Sequence, residues 1–557
     1  MSKTIARFGS ARMMMVGALA WTVGCGGGGA AGGKGGAQPG AGGDASAGTS
    51  GGGTMETGTA GTGGSAAGTG GGAAGTGGSA AGTSGGAAGG SSGTGGSAAT
   101  GTGGAGGSST GGSAVSGTGG GAVAGTGGSA VTGTGGTTID ACARPWVGDI
   151  QIGTELDDEI TAVTAAAGGG IYVTGYEHGD TTISDVIPAG DARAVIARYD
   201  GQGVRMWKST IDTSQADTAE DVQVDPATGN LIVLGRTSGA LPGFQNAGQM
   251  DMYVSVFDSG GGPLGAIQIG DERPQHPVRL GLGPNNKILI AGYDDIFIPS
   301  NYVAALSHGF LAELTGGAAP TFTPTEDFWH RSAYFDGPPP PPSIQDFTTG
   351  VAIAATGDGA MYVSSTVDGH PDQRGMFLTK FDASGQTIWT KQLSNTAGDY
   401  LAAVGLGPTG DLFVGGAASV QIAGVEVGQQ DAFVAKVDKA TGQVLWAVVP
   451  SSPESDFPTA MTFDPAGNVY LTGQTLGTIA GGATNKGGVD IFVVKVGQSG
   501  GILSSWERGS AGDDMAAGIA VDACGQVLVG GFTTGALIAG QPSAGRRDMF
   551  LVKADLP

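Results

Sequence analysis

The sequence predicts an all-β protein, a seven-bladed β-propeller of four-stranded antiparallel blades preceded by a disordered Gly-rich tether. Three observations predict it. A segment of about 60 residues recurs seven times between Trp146 and Pro557, a period suited to a closed radial array of sheets. Each copy carries apolar runs that alternate with period two, bounded by Gly, Pro and Asp turns. Nearly half of the 115 Gly crowd into the N-terminal quarter, whereas every Tyr, all Phe but Phe8 and most charges lie beyond residue 140.

Residues 1–24 read as a lipoprotein signal peptide. Lys3, Arg7 and Arg12 form a basic leader, and Met13 to Gly24 is an apolar stretch too short to span a bilayer as a helix. The following Thr22-Val23-Gly24-Cys25 resembles the bacterial lipobox, which implies lipidation at Cys25 and membrane attachment through an N-terminal lipid anchor. Leucine is usual where Thr22 stands, so cleavage as an ordinary signal peptide is the alternative. By resemblance to Gram-negative lipoproteins, Gly26 after the cysteine implies the outer membrane or cell surface.

Residues 25–139 form the expected linker. Near-repeats such as Gly61 to Ala67 and Gly75 to Ala81 follow the pattern Gly-Thr-Gly-Gly-Ser-Ala-Ala, with too little apolar surface to offset the entropy of ordering. Random-coil scaling gives such a tether a reach on the order of 60 Å. A silk-like structure would need a strict short period, and the spacing here drifts. Lys34, Asp44 and Glu56 are nearly its only ionisable groups, so the net charge of −23 belongs mostly to residues 140–557. Nucleic acid and anionic lipid are poor partners for that surface.

Within residues 140–557 one strand follows an Asp, as in Asp251 to Phe257, Asp431 to Val437, Asp490 to Val496 and Asp548 to Ala554. Another ends in glycine, as in Asn230 to Gly235, Lys287 to Gly292, Asn468 to Gly473 and Gln526 to Gly531. A shorter apolar strand precedes it, closed by turn chemistry such as Asp225-Pro226-Ala227-Thr228-Gly229. The outer strand is marked by tryptophan: Trp146, Trp207, Trp329, Trp389, Trp446 and Trp506 are separated by 61, 122, 60, 57 and 60 residues. The double gap is filled by Pro263 to Gly270, whose Ile-Gln-Ile-Gly matches Ile150 to Gly153.

The last copy has three strands, and the strand at 146–153 has none before it. That strand is therefore expected to complete the last blade and close the ring, removing two open edges. Cys142 would precede this strand and Cys524 would lie in the first hairpin turn of the last blade, roughly 10 to 15 Å apart by strand spacing. A Cys142–Cys524 disulfide locking the closure is the expectation in an oxidising compartment, and two unrelated thiols are the alternative.

The combination of Asp-x-Phe-Val-x-Lys, a glycine turn, Trp, and Ala-x-x-Val-Asp-x-x-Gly-Asn-x-Tyr-x-x-Gly resembles the bacterial seven-bladed propeller repeats called SBBP. The resemblance covers about three quarters of the chain and is best in the fifth and sixth copies; the third, Val278 to Phe328, lacks the Asp and Lys. It implies a propeller at the cell surface without an agreed activity. Val437 to Trp446 also looks like the repeat of quinoprotein propellers and of an outer-membrane assembly lipoprotein, whose repeats are shorter.

The search for chemistry returns little. His178, His276, His308, His330 and His370 lack metal-ligand spacing, and no nucleophile elbow or phosphate loop is present. Asp157-Asp158, Asp399, Asp456 and Asp513-Asp514 occupy equivalent turns, where they cap backbone amides or, ringing a channel mouth, gather a cation. The recurrent Asp251, Asp431, Asp490 and Asp548 read as fold residues. Catalytic, cofactor and metal residues are therefore expected to be none, and the protein is expected to be a monomeric, non-enzymatic binding or display scaffold for a protein or polysaccharide. An assembly scaffold and a quinoprotein-like enzyme are the alternatives. Long connections at Arg236 to Met250, Ala417 to Gln430, Gln474 to Val489 and Phe532 to Arg547 would present the binding face, opposite the tether, together with the Pro338 to Pro342 run.

Overall fold

A computed structural model describes residues 146, 148–179, 191–272, 274–284, 287–296, 306–315, 323–324, 347–368, 375–479 and 484–556. The chain divides into two units, Gly26–Ala122 and a unit that includes Val123–Pro557, and every described residue belongs to the second. The runs that alternate in sequence form strands, and the Gly and Asp turns between them join the strands antiparallel. Blade 1 comprises Asp157–Ala165, Ile171–Gly179, Arg193–Tyr199 and Arg205–Ile211. Blade 2 comprises Asp217–Val224, Leu231–Thr237, Asp251–Phe257 and Pro263–Ile269. Blade 3 has Gln275–Leu282, Lys287–Ile296, Leu306–Thr315 and a two-residue outer strand, Thr323–Pro324. Blade 4 has Phe347–Ala355, Met361–Asp368, Gly375–Phe381 and Thr387–Gln392. Blade 5 has Tyr400–Leu406, Leu412–Ala418, Asp431–Val437 and Val444–Val448, and blade 6 has Asp456–Phe463, Val469–Thr475, Asp490–Val496 and Ile502–Arg508.

Blade 7 takes Asp514–Val521, Val527–Thr533 and Asp548–Ala554 from the C-terminal end and its outer strand from Ile150–Ile152, which pairs antiparallel with Asp548–Ala554. The ring closes as expected, through a strand of three residues where the sequence suggested eight. Consecutive first strands pack against one another around the ring, blade 7 against blade 1 included. Blades 3 and 4 are also joined by one parallel pair, Ser307 with Phe347. Cys142, Trp329 and the Pro338 to Pro342 run lie outside the described residues.

The interior is built between blades, from apolar side chains of successive sheets. Leu231, Val233, Ala194, Ile196 and Tyr172 form one such cluster between blades 1 and 2, and Ile491, Val493, Val529 and Phe550 another between blades 6 and 7. Every first strand carries a β-bulge, at Thr161, Glu220, Val278, Val351, Ala402, Thr459 and Ala517. The extra residue turns the strand locally. Thr161 and Thr459 use it to donate their hydroxyls to Ala219 and Ala516 carbonyls in the next blade, at 2.6 and 2.8 Å.

The tryptophans lock neighbouring blades. Trp207, Trp389 and Trp446 lie at equivalent positions, opposite Arg198, Lys380 and Lys436. Each indole rests on a glycine in the third-to-fourth-strand turn of the following blade: Trp207 on Gly261, Trp389 on Gly442 and Trp446 on Gly500. These glycines have φ of 71° to 89°, and a Cβ there would fall about 3 Å or less from the indole. Trp146 rests likewise on Gly203 of blade 1, next to the closing strand. Trp506 differs: the residue facing Lys495 is Ser504, two positions earlier. A shift of two keeps a strand residue on the same face, which is why the spacing survives.

Candidate functional site

Each blade has two ends. One carries the first-to-second and third-to-fourth turns, which are short and held by Asp side chains, as Asp258 accepts from Gly260 and Gly262 amides and Asp522 from Cys524 and Gln526 amides. Cys524 stands at this end, and the Trp146 indole lies there too, against Gly203. The other end carries the longer second-to-third connections. Sequence position had assigned the long connections to the end away from the lead-in strand, and the strand order makes it so.

The predicted acidic residues build this second end. Asp158 accepts from the Thr154 amide and hydroxyl and from the His178 amide, and Asp456 from the Ser452 amide and hydroxyl and from the Thr475 hydroxyl; Asp217, not singled out by the sequence, accepts likewise from the Thr213 amide. Asp399 accepts from Ser394 Oγ, and Asp514 from the Ser510 amide. They are turn caps, all nearly without solvent exposure. Burial raises the pKa of Asp158, Asp217 and Asp456, and takes Asp514 up to about 6.

The second Asp series caps the connections themselves. Asp251 accepts from the Ala247 amide, Asp431 from Gly428, Asp490 from Lys486 and Asp548 from Ala544. Beside it an outer-strand side chain reaches the base of the connection. Gln268 Oε1 accepts from the Leu241 amide at 2.8 Å, Gln151 Oε1 from Leu537 at 3.0 Å, and Glu507 Oε2 from Ile479 at 3.0 Å. The three anchored residues are buried, which fixes where each connection leaves the sheet.

Against this repeated frame, two departures stand out. At the inner edge of the loop end, blades 1 to 3 carry ionisable side chains where blades 5 to 7 carry mainly apolar ones. The pairs are Glu159–Tyr176, Thr218–Arg236 and His276–Tyr293 in the first group, and Tyr400–Ala417, Phe457–Gln474 and Met515–Phe532 in the second. Tyr176 donates to Glu159 at 3.1 Å, Arg236 pairs with Glu220 at 3.1 Å, and Arg236 Nη1 lies 3.2 Å from His276 Nδ1. The His276 ring stacks on Tyr293 with centroids 4.5 Å apart. Arg279 donates to Val278 and Thr459 carbonyls, joining the bulges of blades 3 and 6 across the ring axis. Composition and motif searches miss this network. The usable signal is the break in the repeat at these positions.

The second departure is in blade 5. Its connection contains a hairpin, Gln421–Ile422 paired with Val425–Glu426, turning at Ala423 and Gly424 with φ of 51° and 80°. Ile422 is fully buried and pins the hairpin. Between it and the blade 4 to 5 turn lies a cleft of 380 Å³, within the range of ligand pockets. Gln392, Ser394, Asn395, Thr396 and Gln421 supply its polar lining, and no charged side chain contributes among the described residues. Ala423 and Gly424 both occupy the left-handed region, the geometry of a two-residue hairpin turn.

Among the described residues, no group of three His, Cys, Asp or Glu is placed to hold a metal ion. His178 and His276 serve structural contacts; the side chains of His308, His330 and His370 lie outside the described residues, as does Cys25.

Fold and repeat together define the class: an all-β, seven-bladed propeller with a loop end that departs from its own symmetry at two places. Residues 452–479 match the SBBP β-propeller repeat, so the chain carries a repeat of that family. No curated protein matches the chain. Among solved structures it is similar to puromycin hydrolase, at 15% identity and a TM-score of 0.36 over 67% of this chain and 50% of that one. The chain therefore spans half the length of that relative. A protein of unknown function from Dyadobacter fermentans DSM 18053 is similar at 10% identity and a TM-score of 0.37, over 73% of this chain and 98% of that one. An ulvan lyase of a polysaccharide lyase family is similar at 12% and 0.37, over the same shares.

Proposed function

We propose that the protein is a lipid-anchored, non-enzymatic binding scaffold of the cell envelope, held to the outer membrane through Cys25 and presenting its loop end to a polysaccharide. The cleft of blade 5 carries this reading. Among the described residues the lining offers amides and hydroxyls without charge, which suits an uncharged, hydroxyl-rich ligand, and the surrounding acidity of a chain at −23 disfavours polyanions. Soluble dextran serves as the probe. Its retardation of the protein in affinity electrophoresis should be lost on replacing Gln421 and Asn395 together by Ala. Retardation that is absent in the wild type, or unchanged in the double variant, would remove the reading.

Anchoring is tested separately. Labelled palmitate should enter the wild-type protein and not the Cys25→Ser variant, and protease added to intact cells should release residues 140–557. The disulfide belongs to the same proposal. Cys524 sits in the first hairpin turn of the blade whose outer strand begins at Ile150, a placement that favours a disulfide with Cys142. Non-reducing peptide mapping should recover the two cysteines in one linked peptide pair.

A further inference from the structure

Three blades fasten the base of their long connection with the same outer-strand position, and one of them carries a different side chain there. Gln268, Gln151 and Glu507 lie opposite Tyr253, Phe550 and Phe492, each two residues after the capping Asp of the third strand. All three accept an amide from the connection, as described above. The glutamines also donate. Gln268 Nε2 gives hydrogen bonds to the Gly239 carbonyl at 3.0 Å and to Asp251 at 2.8 Å; Gln151 Nε2 gives them to the Gly535 carbonyl at 2.8 Å and to Asp548 at 2.9 Å.

Glu507 has no amide to give. Its Oε1 is buried without a hydrogen-bond partner in a residue 5% exposed, and Asp490, the counterpart of the Asp251 and Asp548 that the glutamines bond, is 1% exposed. Two ionised carboxylates sharing a dry site would repel each other with no donor between them, whereas one proton supplies the donor that glutamine supplies elsewhere.

We propose that Glu507 keeps a proton in the folded protein and donates it to Asp490, making blade 6 a proton-operated latch beneath its long connection. The neighbours favour it. Asp456 and Asp514 approach from the first strands of blades 6 and 7, Asp431 lies beyond Asp456 in blade 5, and Lys486 on the connection is the cation acting on Asp490 among the described residues. Burial, reinforced by Asp490 and Asp456 against the hydrogen bond from Ile479, pushes the Glu507 pKa up to about 7. A carboxyl whose pKa rises on folding stabilises the fold below its ordinary range and loses that stabilisation as pH climbs through the folded value. The latch is therefore closed in mildly acidic medium and opens towards pH 8. This does not depend on what the blade 5 cleft binds.

Glu507→Gln is the decisive variant, because glutamine already works at this position in blades 2 and 7 and the protein should fold. Melting temperature is followed from pH 5.5 to 8.5 on the full chain, with amide exchange of residues 476–479 corrected for intrinsic rates. The wild type should lose several degrees more than Glu507→Gln over this range, and its 476–479 amides should lose protection that the variant keeps. Asp490→Asn, which supplies a donor from the other side, should behave like Glu507→Gln. The infrared band of a protonated carboxylic acid at pH 6 should weaken in Glu507→Gln. Parallel pH profiles for wild type and Glu507→Gln, or an infrared band the substitution leaves unchanged, would overturn the proposal.

Discussion

Gly270, Gly153 and Gly509 end the outer strands of blades 2, 7 and 6, and none of them has a positive φ. Space is what demands them. A Cβ at these positions would come within 2.0 Å of a carboxylate oxygen of Asp251, Asp548 or Asp490. The Ile-Gln-Ile-Gly match visible in the sequence thus records one contact: glutamine bonds the Asp, and glycine leaves room for it. Gly270→Ala should push Asp251 off its caps and destabilise the protein by about 1–3 kcal/mol, read as a lower urea midpoint. Asp514 provides a second test at this scale. Burial takes its pKa up to about 6, so its contribution is present below the ordinary carboxylate range and is lost as pH rises through that value. Asp514→Asn should flatten the fall in melting temperature between pH 4.5 and 7 without touching the step assigned to Glu507.

Outer strands show how an element couples to its neighbours while exposing apolar side chains. Those of blades 1, 2, 4, 5 and 6 have a bulge at the same register, at Met206, Leu264, Ile388, Leu445 and Leu503. These five side chains point outward, between 39% and 59% exposed. The residue after the bulge turns inward in blades 1, 4 and 5, where it is the tryptophan that covers the next blade's turn. Trp207→Ala should therefore cost about 2 kcal/mol through lost contact with Gly261 and Tyr172, measured by equilibrium unfolding. Met206→Lys, one residue away, should stay within about 0.5 kcal/mol of wild type. Equal effects at the two positions would contradict the assignment of the faces.

Closure is a property of the whole ring. Blade 7 exists only when Ile150–Ile152 finds Asp548–Ala554 some 400 residues away, a pairing that proteins rich in distant contacts form slowly. Several contacts converge on it. Gln151 bonds Asp548 and the 537–538 amides, Asp149 pairs with Arg508 of blade 6 and accepts from Lys553, and Arg546 pairs with Asp157 at 3.2 Å. Under the proposed Cys142–Cys524 disulfide, Cys524→Ser should lower stability by about 2–4 kcal/mol, and the loss should vanish when wild type and variant are compared under reducing conditions.

The seven blades, most of their strands and the N-terminal closure were legible in the sequence because period-two alternation and turn chemistry are local, and because copies of one unit reveal each other. The Asp caps were legible for the same reason. Blade 3 was faint because its Asp and Lys are missing. Tryptophan position was read two residues off at Trp506, since a shift of two leaves the strand face unchanged. What repetition could not disclose is where the repeat breaks. The Glu220–Arg236–His276 network, the Arg279 bridge and the blade 5 cleft each join residues from different blades. Tertiary structure alone decided them, because side chains far apart in sequence become neighbours only once the ring has closed.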